Sequence, residues 1–482
     1  MIVAWLALLS WPFLTIVFFA TMTVPAALST AIIGGYLMLP EIVEYKVPGL
    51  PAFDKYTITV LSAFFCVLAV RKPEGPKGLL PRSGWGITLL LVLVFGLVGT
   101  HWTNQDSFFF GDWFLRSVPL SDIPVAMIEL FVVLLPFFLG RRYLATEAAQ
   151  KTALQVLVGF GVFYSFLALF EVRMSPQLNN WLYGFFPHSF SQHIRGGGYR
   201  PLVFLPHGLW LAIFLSMSTL AALGLSSTKS SKQERIIYGL VAVWLYGVLF
   251  LSKSLGAFAI TTVLGAMWLF LPKRALRLGL VAVLIVVLAY PMLRSLGWIP
   301  VDRVLALAEM IDASRADSLA FRINNEVAML EHARERPIFG WGAFGRNLAT
   351  DALERSGVVP DGYWVIAIGK GGYVRYFAEF GLLVLGALML LLSSRKRLGT
   401  VGLTVACLVA ANMTDLLPNA TLTTLTWLLA GAMAGRWELG ATAEAATQTP
   451  TQPEGPRQAR FSRPAYGDAP YRRDLTKEVK RQ

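Results

Sequence analysis

The apolar residues fall into repeated blocks, separated by short stretches rich in charged residues, proline and glycine. A helix rises about 1.5 Å per residue, so a block of about twenty residues crosses a hydrocarbon core of about 30 Å. The blocks predict an all-α, polytopic transmembrane helical bundle of about 12–13 spans. The predicted spans are 2–20, 22–40, 56–70, 84–100, 123–140, 152–170, 201–224, 236–252, 254–271, 278–296, 363–392, 398–416 and 420–436.

The N-terminal blocks allow two interpretations. The break around Thr21 to Pro25 is weak, so residues 1–40 form either two spans or one span and a re-entrant piece. The first block has no basic stretch before it and continues at once into more apolar sequence. We therefore expect no cleavable signal peptide.

The basic residues of the short loops predict the orientation of the bundle. One set of alternate loops holds sixteen of them: Arg71, Lys72, Lys77, Arg82, Arg141, Arg142, Lys151, Lys229, Lys232, Arg235, Lys273, Arg274, Arg277, Arg395, Lys396 and Arg397. The opposite short loops hold seven: Lys46, Lys55, Arg116, Arg173, Arg195, Arg200 and Lys253. By the positive-inside rule the first set faces the cytoplasm, which places the N-terminus outside when there are thirteen spans.

The predicted topology also contains one long segment on the outside face. Residues 1–438 form the transmembrane domain, and within it 297–362 is a long extracytoplasmic loop that contains amphipathic helices. Ile323 and other apolar residues at helical spacing predict one such helix over 320–335, which Pro337 ends. The polar residues 439–482 have too little apolar surface to fold alone and predict a disordered cytoplasmic tail.

Composition excludes several classes of protein. A chain that is 55% hydrophobic and only 15% charged is not a water-soluble enzyme. Cys66 and Cys407 both lie in apolar blocks, which excludes a disulfide framework and a thiolate metal site. The net charge of +13 comes from short clusters between the spans, so we expect membrane lipids rather than nucleic acid as the partner.

The segment 192–208 is the first candidate site. Arg195 and Arg200 flank three glycines, a pattern that lets guanidinium and backbone N–H groups converge on one anion such as a phosphate. His207 follows Pro206 and would lie about two turns into a span that begins near Arg200. The alternatives are that Arg200 reaches the lipid headgroups and that His207 is a satisfied polar residue of the bundle.

Other charged residues at the outside face are candidates too. Arg322 begins the amphipathic helix, and an i,i+4 pair with Glu326 on a wet face is its structural alternative. Asp361 lies at the mouth of the next span, where a helix cap is an equal alternative. Lys253, between two spans, is a cation expected to face the same cavity. Arg375 and Glu379 should pair inside the apolar block, and Asp415 is expected to cap or pack at a span end.

The segments that carry these residues resemble the O-antigen ligase and O-antigen polymerase superfamily of bacterial envelope glycosyltransferases. The matching pieces occur in the same order over roughly 150–440. They are YRPLVFLPHGLWLA at a span start, SKSLGAFAI at an outside reversal, Arg322 with the later Gly-Trp-Gly, and DGYWVIAIGKGG before a late span.

The resemblance implies a function on the periplasmic face of the bacterial inner membrane. It implies transfer or polymerisation of an undecaprenyl-diphosphate-linked glycan, with a glycan or the lipid A-core as acceptor, without metal or cofactor. Proteins of polysaccharide assembly and export are the implied partners. The residues that match the family's diphosphate-binding arginines, or lie beside them, are Arg200, Arg322, Arg195 and Lys253.

The sequence departs from the family at two places, and these departures leave the identity of the catalytic base undecided. Ser254-Leu255-Gly256 stands where the family commonly has Ser-Arg-Gly, and Asp361 stands where it has a histidine. We favour Asp361 as the base that accepts the acceptor's proton, with His207 orienting the donor; the reverse assignment stays open. Two other classes of function also remain: a flippase for lipid-linked oligosaccharides, and a non-catalytic scaffold of an export system. No internal repeat of the kind common in transporters is visible.

Overall fold

The computed structural model describes residues 1–70, 75–195, 197–228, 231–311, 313–348, 360–393 and 398–448. The chain is 74% helix and 3% strand, which confirms the all-α prediction. Two short antiparallel hairpins, β1–β2 (Phe108–Phe110, Trp113–Leu115) and β3–β4 (Ile194–Arg195, Gly198–Tyr199), lie in loops. The basic residues Arg71, Lys72, Lys229, Arg395, Lys396 and Arg397 lie outside the described residues, as does 449–482 of the predicted tail.

The described residues form sixteen α-helices. They are α1 (Ile2–Thr21), α2 (Val24–Met38), α3 (Lys55–Leu68), α4 (Gly84–Thr103), α5 (Ile123–Tyr143), α6 (Glu147–Met174), α7 (Leu178–Tyr183), α8 (Gly208–Ser226), α9 (Lys232–Leu251), α10 (Leu255–Phe270), α11 (Lys273–Ser295), α12 (Val301–Ile311), α13 (Ala313–Glu335), α14 (Tyr363–Leu392), α15 (Thr400–Asp415) and α16 (Thr424–Gln448).

Each predicted span overlaps one helix, but the helices differ in length and in apolar character. In the part of the chain that the structure describes, eight helices are long and apolar enough to cross a membrane. They are α1, α4, α5 with the turn before it, α6, α8, α9, α11 and α14. Helices α2, α3, α10 and α15 are apolar but shorter than eighteen residues. The protein is therefore a multi-pass helical membrane protein, and thirteen full crossings remain a prediction.

Glycines allow a close contact between α5 and α16. A Cβ atom built on Gly431 would lie 2.0 Å from the carbonyl oxygen of Phe137, and one on Gly140 would lie 2.0 Å from that of Leu428. No other residue type lets the two backbones approach so closely. Small residues at the crossing therefore fix α16 against α5, a packing typical of membrane helices.

One end of the bundle gathers the loops predicted to lie outside. The side-chain amide of Asn104 donates to the carbonyl of Gly340 at 2.9 Å, which ties the loop after α4 to the segment after α13. Lys253 donates to the carbonyl of Arg195 at 2.6 Å and joins two further loops. The fully buried Arg346 donates to carbonyls of the Asn104 loop and of its own segment, and holds both together.

The opposite end gathers the loops predicted to face the cytoplasm. Buried Arg141 pairs with Glu438 at 2.5 Å, and Arg436 pairs with Glu147 at 3.0 Å. Arg277, at the start of α11, donates to backbone carbonyls at the end of α14. The alternation of loops in the sequence thus matches the two ends of the bundle, and which end faces the cytoplasm stays a prediction.

Helix α14 is broken, which corrects the prediction of a single span over 363–392. Gly372 has φ 66° and ψ −173° inside the helix. Tyr363 nevertheless donates a hydrogen bond to Glu379, sixteen residues later. A straight helix would separate these two positions by about 24 Å. The chain therefore folds back at Gly372, and residues 373–392 form the part that is long enough to cross a membrane.

The segment after α13 fills the break in α14. The N–H groups of Trp341 and Gly342 donate to the carbonyls of Gly369 and Lys370 at 2.8 and 2.9 Å. In return, the N–H of Tyr373 donates to a carbonyl of the same segment at 2.8 Å. The backbone groups that the break frees are thus satisfied inside the protein, as a membrane environment demands.

The helix predicted over 320–335 is present as part of α13. It ends at Glu335, two residues before Pro337, as predicted, but it begins at Ala313 rather than near residue 320. Helix α12 precedes it. At the other terminus, α16 kinks at Gly440 and continues to Gln448, so the first residues of the predicted tail are helical.

Candidate functional site

The hairpin β3–β4 gives the loop before α8 its shape. Gly197, with φ 67°, makes the reversal, a conformation that glycine adopts without strain. The N–H of Arg200 donates to the carbonyl of His193 at 2.7 Å, and Nδ1 of His193 donates back to the carbonyl of Arg200 at 3.1 Å. Arg195 lies in β3, where its carbonyl accepts the bond from Lys253. The loop is therefore ordered on both sides of Arg200.

Helix α8 begins at Gly208, not near Arg200, which corrects the predicted position of His207. The N–H groups of Leu202 and Val203 donate to the carboxylate of Glu171 at 2.9 and 2.8 Å, so the chain is held in a turn there. His207 is the N-cap of α8, and its Nδ1 accepts the N–H of Leu209 at 3.1 Å. His207 lies at the rim of the bundle instead of two turns inside it.

Arg200 is 1% exposed, which excludes the alternative that it reaches lipid headgroups. Its Nη2 donates to the hydroxyl of Ser254 at 3.3 Å. Its aliphatic part lies against Gly208, where a Cβ atom would come within 2.7 Å of the guanidinium Nε. Ser254 and Gly208 thus position this arginine, and neither was predicted from the sequence to contact it.

Arg322 contacts groups far away in the sequence rather than Glu326. Its Nε lies 3.5 Å from a carboxylate oxygen of Asp361, and its Nη1 donates to the side chain of Asn419 at 2.8 Å. Glu326 pairs with Arg294 at 2.9 Å. The i,i+4 pair proposed as an alternative is therefore wrong, and Arg322 connects α13 to the mouths of α14 and α16.

Asp361 is positioned by the turn before α14 and does not cap the helix. Gly362, with φ 72°, is the N-cap, and no side chain caps this helix. The N–H of Tyr363 donates to the carbonyl of Leu416 at 2.9 Å, which holds the turn on the end of α15. Burial raises the pKa of Asp361, while Arg322 opposes that rise. The carboxylate is therefore a stronger base than an exposed aspartate.

Asp415 lies at the end of α15, within electrostatic range of both arginines. Its carboxylate accepts from Asn419 at 2.9 Å and from Thr421 at 2.5 Å, which confirms its expected packing role at the span end. The same carboxylate interacts electrostatically with both Arg322 and Arg200. Arg200 and Arg322 therefore both lie near the end of α15.

Three of the five histidines lie together beside Arg200. One ring nitrogen from each of His188, His193 and His207 falls within 4.8 Å of the others. His188 is exposed and the other two are buried. Burial lowers the pKa of His193 to about 4 and that of His207 to about 2, with Arg200 adding repulsion in each case. Among the described residues this is the one cluster with the donors to hold a metal ion, and the sequence analysis singled out only His207 of its three histidines.

A cavity of about 530 Å³ lies beside the break in α14. It opens between α4, α5 and α14, and most of its lining is apolar. Arg375 and Glu379 pair in it at 3.0 Å, as the sequence predicts. The polar side chains of the lining are Thr100, His101, Asp122, Glu129, Lys370, Arg375 and Glu379.

No protein-family model matches the sequence, and no curated protein matches it. Function is therefore inferred from the residues and their geometry.

Proposed function

We propose that this chain is a glycosyltransferase that transfers or polymerises a polyprenyl-diphosphate-linked oligosaccharide on the periplasmic face of the bacterial inner membrane. The acceptor is a glycan or the lipid A-core, and polysaccharide assembly proteins are its natural partners. An outside-facing site cannot use sugar nucleotides, which are cytoplasmic, so the donor is lipid-linked.

The ion pair between Arg322 and Asp361, with Arg200 in electrostatic range of the same end of α15, is the observation that carries this proposal. Arg322 contacts Asp361 directly, and both arginines interact with Asp415. A diphosphate needs several positive charges near its oxygens, and arginine provides them in a planar fork. A carboxylate of raised pKa beside those charges is suited to accept a proton.

The proposed transfer reaction needs little more than the two arginines and Asp361. An acceptor hydroxyl oxygen attacks the anomeric carbon of the donor sugar, and the bond from that carbon to the diphosphate oxygen breaks. The polyprenyl diphosphate leaves with the electron pair, and Arg200 and Arg322 stabilise its growing charge. The hydroxyl proton passes to Asp361. Lys253 acts less directly, because it already holds the carbonyl of Arg195.

Hydrogen bonding favours Asp361 over His207 as the base. The Nδ1 lone pair of His207 already accepts the N–H of Leu209. In the neutral ring the proton is then on Nε2, which makes that nitrogen a donor. His207 is thus suited to orient an oxygen of the donor, and Asp361 to take the proton.

Single-turnover transfer from a purified lipid-linked donor tests this assignment. We expect Asp361→Asn to lower the rate at least about a hundred-fold, since general-base catalysis contributes about that much or more. His207→Gln should keep the pH profile and weaken donor binding. Full activity of Asp361→Asn together with loss of activity in His207→Gln would reverse the roles, and full activity in both would exclude either residue as base.

Translocation of the same lipid-linked substrate is the second candidate function. The broken α14 and the cavity beside it, with Lys370 and Arg375 in its lining, favour it, because discontinuous helices line substrate pathways in transporters. Proteoliposomes separate the two candidates. A transporter moves the labelled donor across the bilayer without forming a glycosidic bond, whereas a transferase forms product from donor supplied on one side.

A further inference from the structure

We infer that His188, His193 and His207 form a binding site for a divalent transition metal of the Zn²⁺ class. Three imidazole nitrogens within 4.8 Å of one another supply the donor set of an open tri-histidine site. The inference does not rest on glycan transfer, because metal binding is measured without donor or acceptor.

His193 gives the strongest indication that a metal ion binds here. Its ring is fully buried, and its Nδ1–H donates to the carbonyl of Arg200. That bond places the lone pair on Nε2, and this buried nitrogen has no hydrogen-bond partner among the described residues. Metal-bound histidines commonly have this arrangement, in which the second ring nitrogen donates to a backbone carbonyl.

The other two rings complete the site from neighbouring segments. The ring centroids of His188 and His207 are 4.8 Å apart, and those of His193 and His207 are 5.0 Å apart. Around a tetrahedral Zn²⁺ with bonds of about 2.0 Å, ligand nitrogens are about 3.3 Å apart. The cluster must therefore contract by up to about 1.5 Å. His188 can provide most of that movement, because it is exposed in the loop after α7.

His207 is the weakest of the three ligands. Its Nδ1 already accepts the N–H of Leu209 at 3.1 Å, so coordination through this nitrogen replaces that bond. Arg195 and Arg200 also lie within electrostatic range of the cluster. Because they repel a bare cation, we expect the fourth ligand to be an anion such as chloride or a phosphate oxygen.

Zinc binding by the full-length protein tests the inference. The protein is purified in detergent with an affinity tag that contains no histidine, stripped with a chelator and titrated with Zn²⁺ in chloride buffer. We expect one Zn²⁺ per chain. His188→Gln and His193→Gln should each weaken binding by more than about ten-fold, whereas the control His101→Gln, a histidine of the α4 cavity, should bind as the wild type.

The exposed ligand keeps the test decisive. His193→Gln alters a buried ring and can disturb the fold, but His188 is exposed, so His188→Gln leaves the packing intact. Visible absorption of Co²⁺ in place of Zn²⁺ reports tetrahedral coordination directly. Absence of binding to the wild type, or unchanged stoichiometric binding by a folded His188→Gln variant, would overturn the inference.

Discussion

Individual side chains of the site could be named from the sequence, but their partners could not. Arg200, Arg322 and Asp361 stand out in the sequence. Charged residues beside apolar spans are energetically unfavourable unless they form ion pairs or take part in function. Asn419 and Ser254 give no such signal, since uncharged polar residues are common at span ends. Arg322 and Asn419 are 97 positions apart, and only the fold brings them together.

The ion pair between Arg322 and Asp361 predicts how activity depends on pH. The base must be deprotonated, so activity falls as the pH drops through the pKa of Asp361. Arg322 lowers that pKa against the effect of burial, and Arg322→Gln should therefore raise it and move the acidic limb of the single-turnover profile to higher pH. Arg334→Gln, an exposed change in the same helix, is the control. An acidic limb that stays in place would show that Asp361 is not the titrating group.

Helices were predictable as apolar blocks, but their breaks were not. The pattern of apolar residues indicates α14 as one block over 363–392, because hydropathy does not report the backbone angle at Gly372. The same limit applies to α8, whose apolar block begins at Pro201 although the helix begins at Gly208. There, the hydrogen bonds to Glu171 replace helical ones.

The break in α14 predicts a large effect of a small side chain. A Cβ atom at Gly372 would lie 2.0 Å from the carbonyl oxygen of Ile338, and the positive φ is unfavourable for alanine. Gly372→Ala should lower the free energy of unfolding by more than about 1 kcal/mol. Gly159→Ala in α6, where a Cβ atom meets nothing within 4 Å, is the matched control. Thermal unfolding in detergent measures both, and equal melting temperatures would contradict the described break.

The two ends of the molecule follow from the distribution of charge along the sequence. Sixteen basic residues in one set of loops against seven in the other set predict the sidedness, and loops of the set predicted to lie outside contact each other. The number of full crossings could not be predicted, because blocks that become short helices have the same composition as longer ones.

Cysteine labelling of intact cells tests the orientation. In a variant whose native Cys66 and Cys407 are replaced by alanine, Asp112→Cys should react with an impermeant thiol reagent. Lys232→Cys should react only after the cells are permeabilised. Both positions are exposed, so access to the reagent depends on sidedness alone. The opposite pattern would place the candidate site in the cytoplasm and remove the reason for a lipid-linked donor.

The most direct test of the central claim is glycan transfer by the Arg200→Ala, Arg322→Ala double variant. Charge-assisted contacts of this kind contribute about 1.5–3 kcal/mol each, so we expect transfer from a purified polyprenyl-diphosphate-linked donor to fall by at least about a hundred-fold. Arg334→Ala, which removes an exposed charge from α13, should transfer at the wild-type rate. Wild-type transfer by a correctly inserted double variant would contradict the account.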